Sequence, residues 1–145
     1  DTVHLTPYPA GYMCGVWTAL QDVEPNSGEL IVYPKSHRLP RVYMSSVNCS
    51  KVTNNDWSEF GGKVVGAWES SMPSSQFEKL VYTPEKGTVL IWHENLLHGG
   101  GARLNASLPR RSFVAHYFAN GAVAYYDSSG TIGNMSSRYD GKNPD

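Results

Sequence analysis

The sequence has few charged residues and no long hydrophobic run, and each feature argues against one class of partner. Charged residues make up 17% of the 145 and the net charge is −1, so we expect no nucleic-acid partner. No apolar run approaches the ~18 residues of a membrane helix, so we expect no membrane partner either. Cysteine is scarce as well. Cys14 and Cys49 are too few for a disulfide scaffold; a single disulfide between them is the alternative. They favour a reducing, cytoplasmic location.

The start of the chain does not resemble a leader. It does not begin with Met, and the segment 1–4 has neither the basic start nor the apolar stretch of a signal peptide. The chain opens directly into a strand-like segment. We interpret this as an N-terminal truncation of a longer polypeptide, with residues 1–145 forming a single domain.

The remaining composition favours an antiparallel β domain. Aromatic residues make up 12%, and 14 glycines and nine prolines separate short apolar runs. We expect the first two strands to form a hairpin around the turn 25–28. The expected strands are 13–20, 30–33, 87–92 and 112–118.

Two segments lack this regularity. Residues 45–75 are rich in Ser, Asn, Gly and Trp, and we interpret them as a long insertion or lid, with a helix near Ser75–Tyr82. Their aromatic side chains would suit an apolar or stacked substrate. Residues 127–145 are rich in Ser, Gly and Asn and are expected to form a loose tail. The aromatic residues of the first segment are Trp57, Phe60 and Trp68.

One of the five histidines has the surroundings of a metal ligand. His98 follows Leu96-Leu97 and precedes three glycines, where an apolar strand turns into a glycine-rich loop. Glycine lets backbone and ligand approach closely. The alternative is a histidine that caps the end of a strand.

The other histidines have less distinctive surroundings. His37 lies in a turn and His116 inside an apolar strand, and we expect both to be structural. His93 either supports the strand that carries His98 or packs in the core, or it is functional.

An arginine and a serine at the entry to the last strand have the chemistry of a carboxylate site. Arg110 and Ser112 are two residues apart, so on a strand they share a face. A guanidinium binds a carboxylate through two hydrogen bonds, and a hydroxyl adds a third. Taken alone, a solvated basic strand entry is the simpler interpretation.

Three blocks of sequence, in order, resemble the phytanoyl-CoA dioxygenase family. The first block, 13–40, carries Trp-x-Ala-Leu-x-Asp and then Pro-Lys-Ser-His; the others are 86–100 and 110–118. The resemblance spans about residues 1–126. It implies a mainly β fold, a partial double-stranded β-helix (a cupin-like jelly roll) with the long insertion at 45–75. It also implies an Fe(II)- and 2-oxoglutarate-dependent dioxygenase.

The resemblance implies a role for each of five residues. Family members hold iron with His-x-Asp and a distant histidine, which match Asp1 and His98 and place the first histidine two residues before Asp1. Arg110 matches the residue that binds the far carboxylate of 2-oxoglutarate, with Ser112 beside it. Trp17 lies where the family places a neighbour of the cosubstrate. An aspartate at position 1 favours hydroxylation over halogenation.

Two departures from the family pattern leave alternatives open. Lys35 replaces a glycine, and the first iron-binding histidine is missing. His4 is a poor substitute, because positions 1 and 4 of a strand face opposite ways. We therefore expect the 145-residue chain alone to be weak or inactive. The implied reaction hydroxylates a small organic substrate with dioxygen and releases succinate and CO2. The alternatives are a cupin-like binding module without redox chemistry and an inactive truncated paralogue.

Overall fold

Short antiparallel strands dominate the computed structural model, which describes residues 5–72, 76–128 and 131–132. Within these residues the strands form three-stranded sheets of order β1-β8-β9, β5-β2-β7 and β4-β3-β6. None of the helices in the described residues is long and apolar enough to cross a bilayer. The strands are β1 (Thr6–Tyr8), β2 (Met13–Ala19), β3 (Leu30–Val32), β4 (Leu80–Tyr82), β5 (Val89–His93), β6 (His98–Gly100), β7 (Ser112–Phe118), β8 (Val123–Tyr126) and β9 (Thr131–Ile132).

The chain divides into two units. One is built from Asp1–Tyr12, Leu39–Pro73 and Phe118–Asp145, and the other from Met13–Arg38 and Ser74–Tyr117. The second unit holds the sheets β5-β2-β7 and β4-β3-β6. We call these units the first and the second.

The core of the second unit lies between its two sheets. In β2 the buried residues alternate, from Met13 through Gly15 and Trp17 to Ala19, which is the period of a strand with one face inward. In β3, Leu30 and Val32 are buried in the same way. The buried cluster draws on β2, β3 and β5 together, so the sheets pack face to face. Its members are Trp17, Ala19, Val23, Leu30, Val32 and Trp92.

The predicted hairpin between the first two long strands is wrong. β2 lies between β5 and β7, whereas β3 lies between β4 and β6. The chain crosses from one sheet to the other through the loop that contains the turn 25–28. Packing Trp17 of one sheet against Leu30 of the other buries both side chains, and a flat hairpin would leave them side by side. The strand positions themselves are confirmed to within one or two residues.

The predicted helix near Ser75–Tyr82 is also wrong where it can be compared. Leu80–Tyr82 is strand β4, which pairs antiparallel with β3 from Leu30↔Tyr82 to Val32↔Leu80. Backbone pairing with β3 decides the conformation of this segment, because local preference in a short apolar run does not separate helix from strand.

The first unit has its own apolar cluster, formed largely by the segment predicted to be an insertion. A helical stretch runs through α1 (Ser58–Phe60), a π-helical segment Gly61–Val65 and α2 (Gly66–Ser71). Phe60 stacks edge-on against Trp57 and Trp68, with centroid distances of 5.3 and 6.0 Å. These aromatic rings therefore pack on one another. The buried members of the cluster are Met44, Cys49 and Val64.

The segment predicted to be a loose tail begins with two buried residues. Asp127 accepts hydrogen bonds from the backbone N–H of Met44 at 2.7 Å and from Nζ of Lys51 at 2.8 Å. Ser128 is buried beside it. For the rest of 127–145, the structure describes only the strand β9. Both cysteines are free thiols.

Candidate functional site

His98 is the first residue of β6, and its side chain faces the core of the second unit. Its partner across the sheet is Val32, which is buried. Directly opposed residues of an antiparallel pair point to the same side of the sheet. The imidazole therefore lies on the inner face of β4-β3-β6, where it is half-buried.

The hydrogen bonding of His98 prepares it to bind a metal. Nδ1 lies 2.8 Å from the carbonyl oxygen of Leu96, and a carbonyl can only accept, so Nδ1 carries the hydrogen. The neutral ring then has its lone pair on Nε2. Burial lowers the pKa of His98 below its usual 6.5, against the opposing effect of the Leu96 hydrogen bond. The ring is thus neutral at pH 7, as metal coordination requires.

The indole of Trp92 packs against the His98 ring. Their centroids are 4.7 Å apart and the planes are tilted by 44°. Trp92 is itself buried in the core, opposite Gly15 in the β2–β5 pair. A Cβ added at Gly15 would lie 2.4 Å from the indole, so only glycine admits the ring here. No pattern in the sequence separates Trp92 from the other aromatic residues of the strands.

Arg110 reaches the same face of β6 as His98. A guanidinium nitrogen of Arg110 lies 4.0 Å from the point where Gly100 would carry a Cβ. Positions 98 and 100 of a strand point to one side, about 7 Å apart. The structure therefore brings the predicted metal ligand and the predicted carboxylate-binding residue together.

A buried carboxylate, which sequence reasoning missed, lies near Arg110. The pKa of Glu29 is below its usual 4.5, chiefly because backbone N–H groups of Glu29, Asn26 and Gly28 donate to the carboxylate, and the charge of Arg110 adds to the effect. The hydrogen bond from Asn26 is 2.6 Å long. The peptide N–H of Gly101 donates to the Glu29 carbonyl at 2.7 Å, which ties this turn to the end of β6.

The two remaining candidates for cosubstrate binding differ in exposure. Ser112 opens β7 and is half-buried. Trp17 is 1% exposed and packs edge-on against Tyr82 at 6.0 Å. Its role beside the cosubstrate stays a prediction.

Asp1, the predicted carboxylate ligand, lies outside the described residues, and so does His4. Among the residues that the structure does describe, no three His, Cys, Asp or Glu side chains are grouped closely enough to hold a metal. The described part of the chain therefore supplies His98 to the predicted ligand set, and the roles of Asp1 and His98 as ligands stay predictions.

The residues just before β6 have structural contacts. His93 is exposed, its Nδ1 accepts the N–H of Asn95 at 3.1 Å, and its ring lies 5.4 Å from that of His37. Glu94 is fully buried and accepts a hydrogen bond from the backbone of Met13. No pattern in the sequence marks Glu94, because its partner is 81 residues away.

Comparison with known proteins gives a consistent picture. The family model described as phytanoyl-CoA dioxygenase (PhyH) matches residues 1–112. The peroxisomal phytanoyl-CoA dioxygenase of Bos taurus is 26% identical over 131 residues, which are 89% of this chain and 35% of that protein. A probable phytanoyl-CoA dioxygenase of Caenorhabditis elegans is 26% identical over 129 residues, 85% of this chain and 36% of that protein. The chain thus spans about a third of the length of these curated relatives.

Solved structures show the same fold. The non-haem alpha-ketoglutarate-dependent carbocyclase SnoK from nogalamycin biosynthesis superposes with a TM-score of 0.61 at 19% identity, covering 94% of this chain and 47% of SnoK. The epimerase SnoN, solved with Fe3+, alpha-ketoglutarate and nogalamycin RO, gives a TM-score of 0.52 at 19% identity, covering 96% of this chain and 46% of SnoN. These likenesses confirm the predicted jelly-roll fold.

Proposed function

Because this chain belongs to the phytanoyl-CoA dioxygenase family, we propose that the protein is a non-haem Fe(II)- and 2-oxoglutarate-dependent dioxygenase. Its reaction would hydroxylate a small organic substrate with dioxygen and release succinate and CO2. One observation carries the proposal: the Arg110 guanidinium approaches Gly100 on the face of β6 that carries the His98 imidazole.

His98 fits an iron site by its chemistry. A neutral imidazole with its lone pair on Nε2 is a ligand that suits Fe(II), and the Leu96 carbonyl holds that tautomer through Nδ1. Asp1 and a histidine two residues before it would complete the two-histidine, one-carboxylate set. When bound, iron with 2-oxoglutarate and dioxygen supplies the oxidation, in which one oxygen atom enters a substrate C–H bond and the other enters succinate as CO2 leaves.

Arg110 would orient the cosubstrate. Its guanidinium can form two hydrogen bonds to the far carboxylate of 2-oxoglutarate, with the hydroxyl of Ser112 as a further donor. The charge of Arg110 also contributes to the lowered pKa of Glu29. Because backbone donors already satisfy the Glu29 carboxylate, the guanidinium of Arg110 would keep its donors for the ligand. The buried Trp17 would help to keep water out of this side of the core.

The remaining parts of the proposal concern partners and location. We propose dioxygen and a small molecule as the partners, with no nucleic acid and no membrane. The free thiols of Cys14 and Cys49 support a reducing compartment, and we propose the cytoplasm. Relatives whose names place them in the peroxisome make that organelle the alternative, and microscopy of a tagged protein in its own cells separates the two.

Succinate formation tests the proposed function in a polypeptide that extends beyond Asp1 to the proposed first histidine. The protein is assayed anaerobically for Fe(II) binding, then with oxygen, 2-oxoglutarate and a panel of small organic substrates. We expect His98→Ala to abolish both iron binding and succinate production. Arg110→Ala should raise the KM for 2-oxoglutarate about 10- to 100-fold, since a hydrogen bond to a charged group contributes about 1.5–3 kcal/mol.

Arg111→Ala is the matched control for Arg110, because Arg111 is the exposed neighbouring arginine, directly before β7. It should keep the wild-type KM. Normal succinate production by His98→Ala would refute the proposed function, and 2-oxoglutarate binding without any turnover would favour a cupin-like binding module.

A further inference from the structure

We propose that Trp92 is a positioning residue, whose indole rests over Gly15 and fixes the ring plane of His98 for metal binding. The proposal rests on the proposed function only in naming His98 as the ligand. The contacts that support it belong to the described residues of the second unit.

The first step is the fit between Gly15 and Trp92. These residues are direct partners in the β2–β5 pair. A Cβ at position 15 would lie 2.4, 2.5 and 2.7 Å from Cε2, Nε1 and Cζ2 of the indole. Among the glycines that the structure describes, no other has a side-chain or backbone atom so close. The missing side chain at position 15 therefore creates the space that the Trp92 indole occupies.

The second step is the contact between Trp92 and His98. The hydrogen bond from Nδ1 to the Leu96 carbonyl holds one edge of the imidazole, and its loss would let the ring turn about the Cβ–Cγ bond. The indole, at a centroid distance of 4.7 Å, packs against the ring and limits that rotation. Because Trp92 is only 5% exposed and packed within the core, it cannot move aside easily.

Together the two contacts orient Nε2 before any metal arrives. A ligand that is already oriented loses less conformational entropy on binding, which raises affinity without adding a bond. A purely structural Trp92 would contribute to stability and leave the orientation of His98 unchanged. Metal affinity and the His98 tautomer therefore separate the two roles, and stability alone does not.

The experiment makes two measurements on the wild-type protein, extended N-terminally to the proposed first histidine, and on its variants. The first is 15N NMR of the His98 imidazole in metal-free protein, which reports the fraction of rings with hydrogen on Nδ1. The second is the anaerobic dissociation constant for Fe(II). We expect Trp92→Leu to give mixed tautomers and a dissociation constant about 10-fold higher, within the range for groups that orient a ligand. Trp92→Phe, which keeps a flat ring, should restore most of both values.

Val23→Ala is the control for loss of core packing, because Val23 belongs to the same buried cluster. It should lower the melting temperature without changing the tautomer or the affinity. Gly15→Ala removes no core atom and tests the proposal even where Trp92→Leu fails to fold. In the wild-type background it should displace the indole and weaken Fe(II) binding. When combined with Trp92→Leu, it should have no further effect on Fe(II) binding.

Two results would overturn the proposal. One is a Trp92→Leu protein that melts at lower temperature but keeps the wild-type tautomer and affinity. The other is a Gly15→Ala substitution that leaves both values unchanged while Trp92 is present. Failure of the proposed function appears separately, as Fe(II) binding that survives His98→Ala, and the tautomer measurement still tests Trp92 in that case.

Discussion

The buried carboxylate of Glu94 accepts a hydrogen bond of 2.9 Å from the backbone N–H of Met13. Met13 is the first residue of β2, and Glu94 directly follows the last residue of β5. The contact lies one step beyond the Cys14↔His93 pair, where the backbone ladder between the two strands ends. A side chain thus satisfies a backbone donor that the ladder leaves at its edge.

Removing this carboxylate should destabilise the second unit. We expect Glu94→Ala to lower the free energy of unfolding by about 2 kcal/mol or more, because it leaves the buried N–H of Met13 without its acceptor. Glu94→Gln keeps an acceptor of the same length and should lose less. Urea denaturation measures both. Equal losses in the two variants would mean that the negative charge matters and the hydrogen bond does not.

Replacing Lys35 by glycine should stabilise the protein. Lys35 has φ of +74°, and its turn is closed by a hydrogen bond from Ser36 N–H to Tyr33 O at 3.1 Å. A lysine in this left-handed region costs about 1–2 kcal/mol relative to glycine, part of which the greater freedom of an unfolded glycine offsets. We expect Lys35→Gly to gain about 0.5–1 kcal/mol in thermal unfolding.

Asn26→Gly is the control for Lys35→Gly, since Asn26 has a similar φ of +70° but asparagine tolerates that region. Its gain should be smaller. A destabilised Lys35→Gly protein would show that the lysine side chain has a compensating contact.

The two partners of the Lys51–Asp127 pair should differ in their importance. Asp127 is buried and also accepts the Met44 N–H, whereas the Lys51 side chain is 43% exposed. Asp127→Ala leaves a buried donor unsatisfied and should cost about 2–3 kcal/mol. Lys51→Met removes a partly solvated charge and should cost less. The expected loss is about 1 kcal/mol or below, the usual value for such pairs. Chemical denaturation of both variants gives the order, and the reverse order would contradict the assignment.

Stability of the metal-free protein should fall in mild acid. Burial lowers the pKa values of His98 and His116 below the ordinary 6.5. The unfolded chain therefore binds protons more readily as the pH falls below about 6.5, and the free energy of unfolding decreases. Well above pH 6.5 both imidazoles are neutral in both states and contribute nothing. His116→Gln should reduce the loss between pH 7 and pH 5 in urea titrations, and an unchanged loss would rule out His116 as a cause.

The sequence predicts the long strands well because their signal is local. β2 and β7 show runs of apolar and β-branched residues bounded by turn signals, and both lie within a residue of the expected bounds. The predicted hairpin is wrong because the pattern of apolar residues along a strand does not determine which sheet the strand joins. That choice depends on the burial of Trp17 against Leu30 across the core. The predicted helix near Ser75–Tyr82 is wrong for a similar reason, since Leu80–Tyr82 forms a strand by pairing with β3.

In the candidate site, too, the sequence predicts single residues but not the contacts between distant ones. His98 and Arg110 stand out by their immediate neighbours, and the resemblance to known proteins gives them roles. Their shared face on β6 depends on the return of the chain after the loop 101–109, which no local spacing reveals. The effect of the Arg110 charge on Glu29 and the contact of Trp92 with His98 likewise depend on strand register. Register is fixed by packing over many residues.

The close fit of Gly15 beneath the Trp92 indole also limits how this protein can evolve. A side chain at position 15 and an indole at position 92 exclude one another, so a larger residue 15 depends on a prior change at position 92. Any mutational path that enlarges residue 15 must first shrink residue 92, and the intermediate would have a looser His98. Natural variants with a larger residue 15 should therefore also have a smaller residue 92.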